Sequence, residues 1–212
     1  MNILTSILYN KRGSGKYYEK MTRLCIDSFK ENLQGDWEYR QVKSRRSVDN
    51  IFFDNFNQLH EWWKEGHNVF YINVDMLCVK PIEIFGEYKE LTMFWQTDPR
   101  TFREFPVYFN CAVMYIPKET KNEIWEHGFS EYEKYFDGEP ERWAADQIIY
   151  NKMLYKQGLP PEHYLDNKLH YLAHEDAKQL NDIPEEEARI VHFFATRGAE
   201  KSLEAMRAWR RN

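Results

Sequence analysis

The sequence predicts an α/β fold with one mostly parallel central sheet and helices on both of its faces. Two observations predict it. Through the first half of the chain, short apolar runs of strand length alternate with longer stretches whose apolar residues recur at three- and four-residue steps. Across all 212 residues no internal repeat, low-complexity tract or linker rich in Pro, Gly or Ser divides the chain, so residues 1–212 read as a single domain.

The elements follow in order. Residues 3–8 form an apolar run of the right length for a buried strand, closed by the turn-forming cluster 10–15. Met21, Leu24, Cys25, Phe29 and Leu33 mark one face of a helix that Gly35 ends. Residues 37–42 read as a second strand. Phe52, Phe56, Leu59, Trp62 and Trp63 trace a second helix, stopped by Gly66. Residues 68–72 form a third strand that runs into the polar triplet Asn73-Val74-Asp75. In parallel sheets ligands gather at the carboxyl ends of strands, and this triplet lies at such an end. The second half is less regular. Residues 91–95 and 108–116 read as strands, joined by a polar loop with Asp98, Arg100 and Arg103. Helices follow near 118–136 and 141–155, then a late strand at 190–194 and a charged helix ending at Trp209, Arg210 and Arg211.

Composition narrows the function. A hydrophobic fraction of 42%, with 17% aromatic, supplies a packed core and excludes disorder as the main state. A net charge of -5 argues against a nucleic-acid partner, which calls for a basic face. The local cluster Arg40, Lys43, Arg45 and Arg46 reads first as charge on a sheet edge, and second as a small anion patch. Cys25, Cys78 and Cys111 are odd in number and widely spaced, which suits free thiols in a reducing compartment. With no membrane-length apolar run and no signal-peptide core, the expected location is cytoplasmic. Leu203, Met206 and Trp209 beside Arg207, Arg210 and Arg211 leave peripheral contact with an anionic membrane as a second reading of the last helix, behind an ordinary docked one.

Three motifs are rejected. Gly13-Ser14-Gly15-Lys16 follows a strand and precedes a helix, but a phosphate-binding loop needs Gly where Asn10 stands and Ser or Thr where Tyr17 stands. His170 and His174 have the spacing of zinc ligands, yet Tyr171 replaces the Glu of a zinc protease, so they read as surface histidines. No Ser or Cys lies in a nucleophile elbow.

The segment 69–81, Val-Phe-Tyr-Ile-Asn-Val-Asp-Met-Leu-Cys-Val-Lys-Pro, carries more chemistry. On extended backbone Asn73 and Asp75 point the same way, and two oxygen ligands there suit a hard divalent cation. This segment resembles the metal-binding DxD region of GT-A-fold (Rossmann-like) glycosyltransferases, especially glycosyltransferase family 8, with echoes of the family 32 group in Leu77-Cys78-Val79-Lys80-Pro81. Tyr108-Phe109-Asn110-Cys111-Ala112-Val113, Asp146-Gln147-Ile148-Ile149-Tyr150-Asn151 and Val191-His192-Phe193 are similar to three further family 8 segments, in family order across most of the chain. The triplet departs from the pattern in beginning with Asn73 rather than Asp, and the last motif has Ala195 where the family has Gly.

The resemblance implies a metal-dependent, retaining hexosyltransferase that moves a sugar from a nucleotide-sugar donor, a UDP-sugar by preference, to a glycan, lipid-linked or other hydroxyl acceptor. It implies a nucleotide-binding half at 1–80 and a sugar- and acceptor-binding half at 81–212. Asp75 and His192 are the implied ligands of Mn²⁺ or Mg²⁺, with Asn73 a weaker third. Gln147 and Asp146 are the implied catalytic residues. Tyr9, Asn73, Asp98, Asn110, Cys111, Arg197 and Lys201 are the implied donor-binding residues. Two alternatives stand beside it: a sugar-phosphate nucleotidyltransferase and a noncatalytic nucleotide-sugar binder.

Overall fold

The computed structural model describes residues 1–7, 15–42, 51–96, 105, 108–136, 145–158, 165, 169–173, 181, 183–193 and 198–210. In order these form β1 (Asn2–Ile7), α1 (Gly15–Asn32), β2 (Trp37–Val42), α2 (Ile51–Lys64), β3 (Asn68–Ile72), β4 (Met76–Cys78), β5 (Thr92–Gln96), β6 (Tyr108–Ile116), α3 (Asn122–Phe136), α4 (Ala145–Gln157), β7 (Tyr171–Leu172), β8 (Ile190–His192) and α5 (Ala199–Trp209). Gly35 and Gly66, which follow α1 and α2, take φ of +91° and +82°, a backbone region glycine enters without steric cost.

The main sheet has the order β2-β1-β3-β6-β5. β1 pairs in parallel with β2 and β3, while β6 pairs antiparallel with β3 and β5, so four of the five strands point one way. Side-chain alternation sends successive residues to opposite faces. Leu4, Phe70 and Ile72 join a core with Met21, Cys25 and Phe29 of α1 and Leu203 and Met206 of α5. Ile3, Val69 and Tyr71 join a second core with Phe56 and Leu59 of α2, Trp125 of α3 and Met153 of α4. Helices thus cover both faces, as the sequence predicts.

The late strand does not join this sheet. β8 is instead the central strand of a small second sheet, ordered β4-β8-β7, in which Met76 lies opposite His192. β4 is an edge of that sheet, and α1 covers the edge with polar side chains. Ser28 Oγ accepts the Cys78 N–H at 2.9 Å, and Asn32 Nδ2 donates to the Cys78 carbonyl at 2.9 Å. Both backbone groups are thereby satisfied without another strand.

α5 settles the reading of the last helix. Leu203 and Met206 are buried in the core, so its apolar face packs on the protein and is not free to rest on a membrane. Arg210 pairs with Glu31 on α1. No helix among the described residues is long and apolar enough to cross a membrane. The three cysteines are free and buried. β2 is an edge strand, and its Arg40 pairs with Glu38 and with Glu65 at 3.4 Å, which fits charge placed on an edge; Lys43, Arg45 and Arg46 lie outside the described residues.

Candidate functional site

The triplet does not continue the strand. β3 ends at Ile72, Val74 and Asp75 form a turn, and β4 begins at Met76. The expectation of extended backbone through 73–75 is therefore corrected: the chain turns there as it passes from the main sheet to the small one. The turn is pinned from three sides. Asn73 N–H donates to the Ala112 carbonyl at 2.9 Å, Cys25 Sγ approaches the Asn73 carbonyl at 3.7 Å, and Phe193 N–H donates to the Asp75 carbonyl at 2.9 Å.

That last bond belongs to the pairing of β4 with β8, and it explains how residues 117 positions apart meet. His192 Nε2 stands 3.4 Å from Asp75 Oδ1. Both residues are nearly buried, at 4% and 6% exposure, where an unpaired charge would be costly. On the far side of the ring, His192 Nδ1 lies 3.0 Å from His170 Nε2. His170 precedes β7, is 1% exposed and packs edge-on against Phe94 at 4.3 Å between ring centres. Burial, and then the neighbouring His192, hold its pKa well below the ordinary histidine value, so the ring is neutral. The reading of His170 as a surface residue is thus overturned. A two-residue strand carries no periodicity by which its burial could be read. His174 lies outside the described residues.

The third feature is a bulge in β6. Met93 opposes Met114, but Phe94 opposes Asn110, so Cys111, Ala112 and Val113 have no partner on β5. Asn110 Oδ1 accepts the Ala112 N–H at 2.8 Å and so shapes the bulge that presents the Ala112 carbonyl to Asn73. Beyond the end of β3, Phe109 has no strand partner on that side. Asn151 of α4 supplies one: its Oδ1 accepts the Phe109 N–H at 2.9 Å and its Nδ2 donates to the Phe109 carbonyl at 2.8 Å. This clamp fixes the amino end of α4 over the bulge.

Asp146 and Gln147 occupy that end. Asp146 Oδ1 accepts the Gln147 N–H at 2.8 Å, and Cys111 Sγ lies 3.7 Å from Asp146 Oδ2. Burial pushes the Asp146 carboxyl up to about 6, and the hydrogen bonds from Gln147 and Cys111 hold it from rising further. The Gln147 side chain is part-exposed and makes no hydrogen bond among the described residues. Tyr71, on the same sheet face as Cys111, donates from its hydroxyl to Asn73 Oδ1 at 3.2 Å. Burial chiefly, and then the neighbouring Cys111, Asp146 and Asp75, push that phenol well above its ordinary value. Tyr71 was missed in the sequence, although residues two apart on a strand share a face.

Asn73, Asp75 and His192 therefore gather where the two sheets meet, and Asn110, Cys111, Asp146 and Gln147 gather at the bulge joined to that turn. Lys201 lies exposed on the first turn of α5, next to Ser202, whose hydroxyl donates to the Phe193 carbonyl at 2.9 Å. Tyr9, Asp98 and Arg197 lie outside the described residues.

The donor chemistry at the turn fits a divalent cation in part. Two ligands at about 2.1 Å and a right angle stand about 3 Å apart, close to the Asp75–His192 separation. Asn73 Oδ1, though engaged by Tyr71, keeps a second lone pair. Among the described residues no group of three or more His, Cys, Asp or Glu is arranged to hold a metal ion. A cation at this turn would take its remaining donors from a ligand and water.

No family model and no curated protein matches the chain. Among solved structures, the fold is similar to that of a glycosyltransferase involved in the glycosylation of the major capsid of PBCV-1, with a TM-score of 0.61, 15% identity and coverage of 97% of this chain and 98% of that one. The likeness runs nearly end to end in both chains. The chain shares the fold of that glycosyltransferase.

Proposed function

We propose that this chain is a metal-dependent glycosyltransferase that uses a nucleoside-diphosphate sugar, a UDP-hexose by preference, and a hydroxyl acceptor of glycan type. The observation that carries the reading is the approach of His192 Nε2 to 3.4 Å from Asp75 Oδ1, because the pairing of β4 with β8 brings two distant polar side chains to one corner where the main sheet gives way to the small one. The shared fold and the resemblance of the quoted motifs to family 8 support it.

Breaking the bond between the anomeric carbon and the diphosphate leaves negative charge on the departing oxygens. A divalent ion, Mn²⁺ ahead of Mg²⁺, supplies Lewis-acid stabilisation of that charge when bound. Asp75 and His192 are the residues that would hold it, with Asn73 assisting through its carbonyl oxygen. Gln147 and Asp146 flank the sugar from the amino end of α4. An amide is a poor nucleophile, so Gln147 serves to stabilise positive charge on the ring. The acceptor oxygen bonds to the anomeric carbon on the leaving-group side, the bond to phosphate breaks, and the hydroxyl proton passes to the departing diphosphate. Configuration is retained. Asn110 and Cys111 shape the wall beside the donor, and Tyr9, Asp98, Arg197 and Lys201 are the further donor contacts.

A panel of nucleotide-sugars incubated with Mn²⁺ tests the reading. The expected result is slow release of nucleoside diphosphate from one donor, lost on chelation and lost in Asp75→Asn. Release of pyrophosphate from a nucleoside triphosphate and a sugar phosphate would instead identify a nucleotidyltransferase. Donor binding without turnover in any acceptor mixture would identify a binder.

A further inference from the structure

His170 has no role in the site as read from sequence, yet it is a deeply buried ionisable group in direct contact with it. Its exposure is 1%, its Nε2 meets His192 Nδ1 at 3.0 Å, and its other ring nitrogen, Nδ1, has no hydrogen-bond partner among the described residues. A ring kept there for packing alone would be served by Phe, which fits the same space against Phe94 and has no unsatisfied nitrogen of its own. A buried histidine retained with one nitrogen unsatisfied points to work done by the other nitrogen.

That work follows from imidazole chemistry. A neutral imidazole has one N–H and one lone pair, and the hydrogen bond made by one nitrogen decides which the other presents. If His192 Nδ1 carries the proton, Nε2 offers its lone pair; if Nε2 carries it, Nε2 can only donate to Asp75. We propose that His170 is a positioning residue: its Nε2 accepts the Nδ1 proton of His192, fixing that ring with the Nε2 lone pair turned toward Asp75 Oδ1 as a cation ligand. This rests on the cation site proposed above. A partner on the far nitrogen of a metal-binding histidine both orients the ring and raises its basicity, and losing such a partner weakens metal binding by about 10–100-fold.

Two substitutions separate this from a packing role, because the two roles rank them oppositely. Phe preserves the aromatic volume and removes the acceptor. Gln loses the ring, but its side-chain carbonyl can accept the same proton. Mn²⁺ binding in the presence of UDP, followed by electron paramagnetic resonance, should weaken by about 10–100-fold in His170→Phe and stay within a few-fold of wild type in His170→Gln. Thermal melting measured alongside should show both variants folded at the temperature of the binding measurement, with His170→Phe lowered because it strands the buried His192 Nδ1–H. Unchanged Mn²⁺ binding in His170→Phe, with His192→Ala and Asp75→Asn both weakened, would overturn the positioning role and leave the cation site standing. Unchanged binding in all three variants would remove the cation site and this inference with it. Should His170→Phe fail to fold, ¹⁵N NMR of the wild-type rings with Mg²⁺ and UDP decides the matter. A proton on His192 Nδ1, with scalar coupling across the bond to His170 Nε2, supports the assignment. A proton on His192 Nε2 refutes it.

Discussion

Asp146 concentrates the tension between burial and chemistry in one side chain. Its ordinary value of 3.8 rises to about 6 because burial disfavours the carboxylate, and the two hydrogen bonds it accepts recover only part of that cost. The folded chain therefore holds the proton more tightly than the unfolded chain does. Stability owed to this group is intact below the ordinary value and is lost as pH rises toward and through about 6. Asp146→Asn removes that dependence. Chemical denaturation from pH 4 to 7 should show wild type losing stability relative to Asp146→Asn, with the difference levelling off above about 6. A constant difference across the range would mean the carboxyl is solvated. Asn73 is the other informative residue. Its carbonyl oxygen already accepts from Tyr71, so the side chain is held in place but carries no charge. Asn73→Asp adds a negative charge beside Asp75 and should tighten Mn²⁺ binding when no diphosphate is present, as read by titration calorimetry. Weaker binding in that variant would exclude the turn as the cation's seat.

At the scale of elements, β6 and α4 form a single working unit. The bulge at 111–113 offers a carbonyl to the turn, Asn110 shapes the bulge, and Asn151 holds α4 where a neighbouring strand would otherwise pair with Phe109. Asn151→Leu keeps the bulk but leaves the Phe109 N–H and carbonyl without partners. Each buried group so stranded costs about 1–3 kcal/mol. The expected loss in a denaturant titration is therefore on the order of 2–6 kcal/mol, accompanied by a displaced Asp146 and Gln147 and reduced turnover. A loss within a few tenths of a kcal/mol would show that water replaces the amide without difficulty. Much of this unit was legible in advance: the 108–116 strand matches β6 end to end, because nine largely apolar residues admit little else. The bulge was not legible, since it arises from a side chain bonding two residues ahead and not from any change in hydrophobic pattern. The turn at Val74–Asp75 was missed for a related reason: β4, at three residues, is too short to show alternation, so the apolar run after Asp75 carried no sign of a second sheet.

Over the whole molecule, two sheets meet at one corner, and the chain's chemistry collects there. The main sheet was readable from its strand-length apolar runs, which are apolar on both faces because both are covered: Leu4 and Phe70 enter one core, Ile3 and Val69 the other. The small sheet was not, because it is assembled from strands of three, three and two residues drawn from distant parts of the chain. Only that sheet brings Asp75 beside His192 and His170 behind it. The sequence resemblance named the first two residues and could not name the third, since local pattern says nothing about which nitrogen a buried ring will find. The account stands or falls on cation binding at this corner, and titration calorimetry of Mn²⁺ into protein saturated with UDP tests it most directly. Wild type should bind one ion, and Asp75→Asn should bind at least about 100-fold more weakly, the cost of removing a charged ligand from a nearly buried site. Equal affinity in the two proteins, with both folded, would contradict the account.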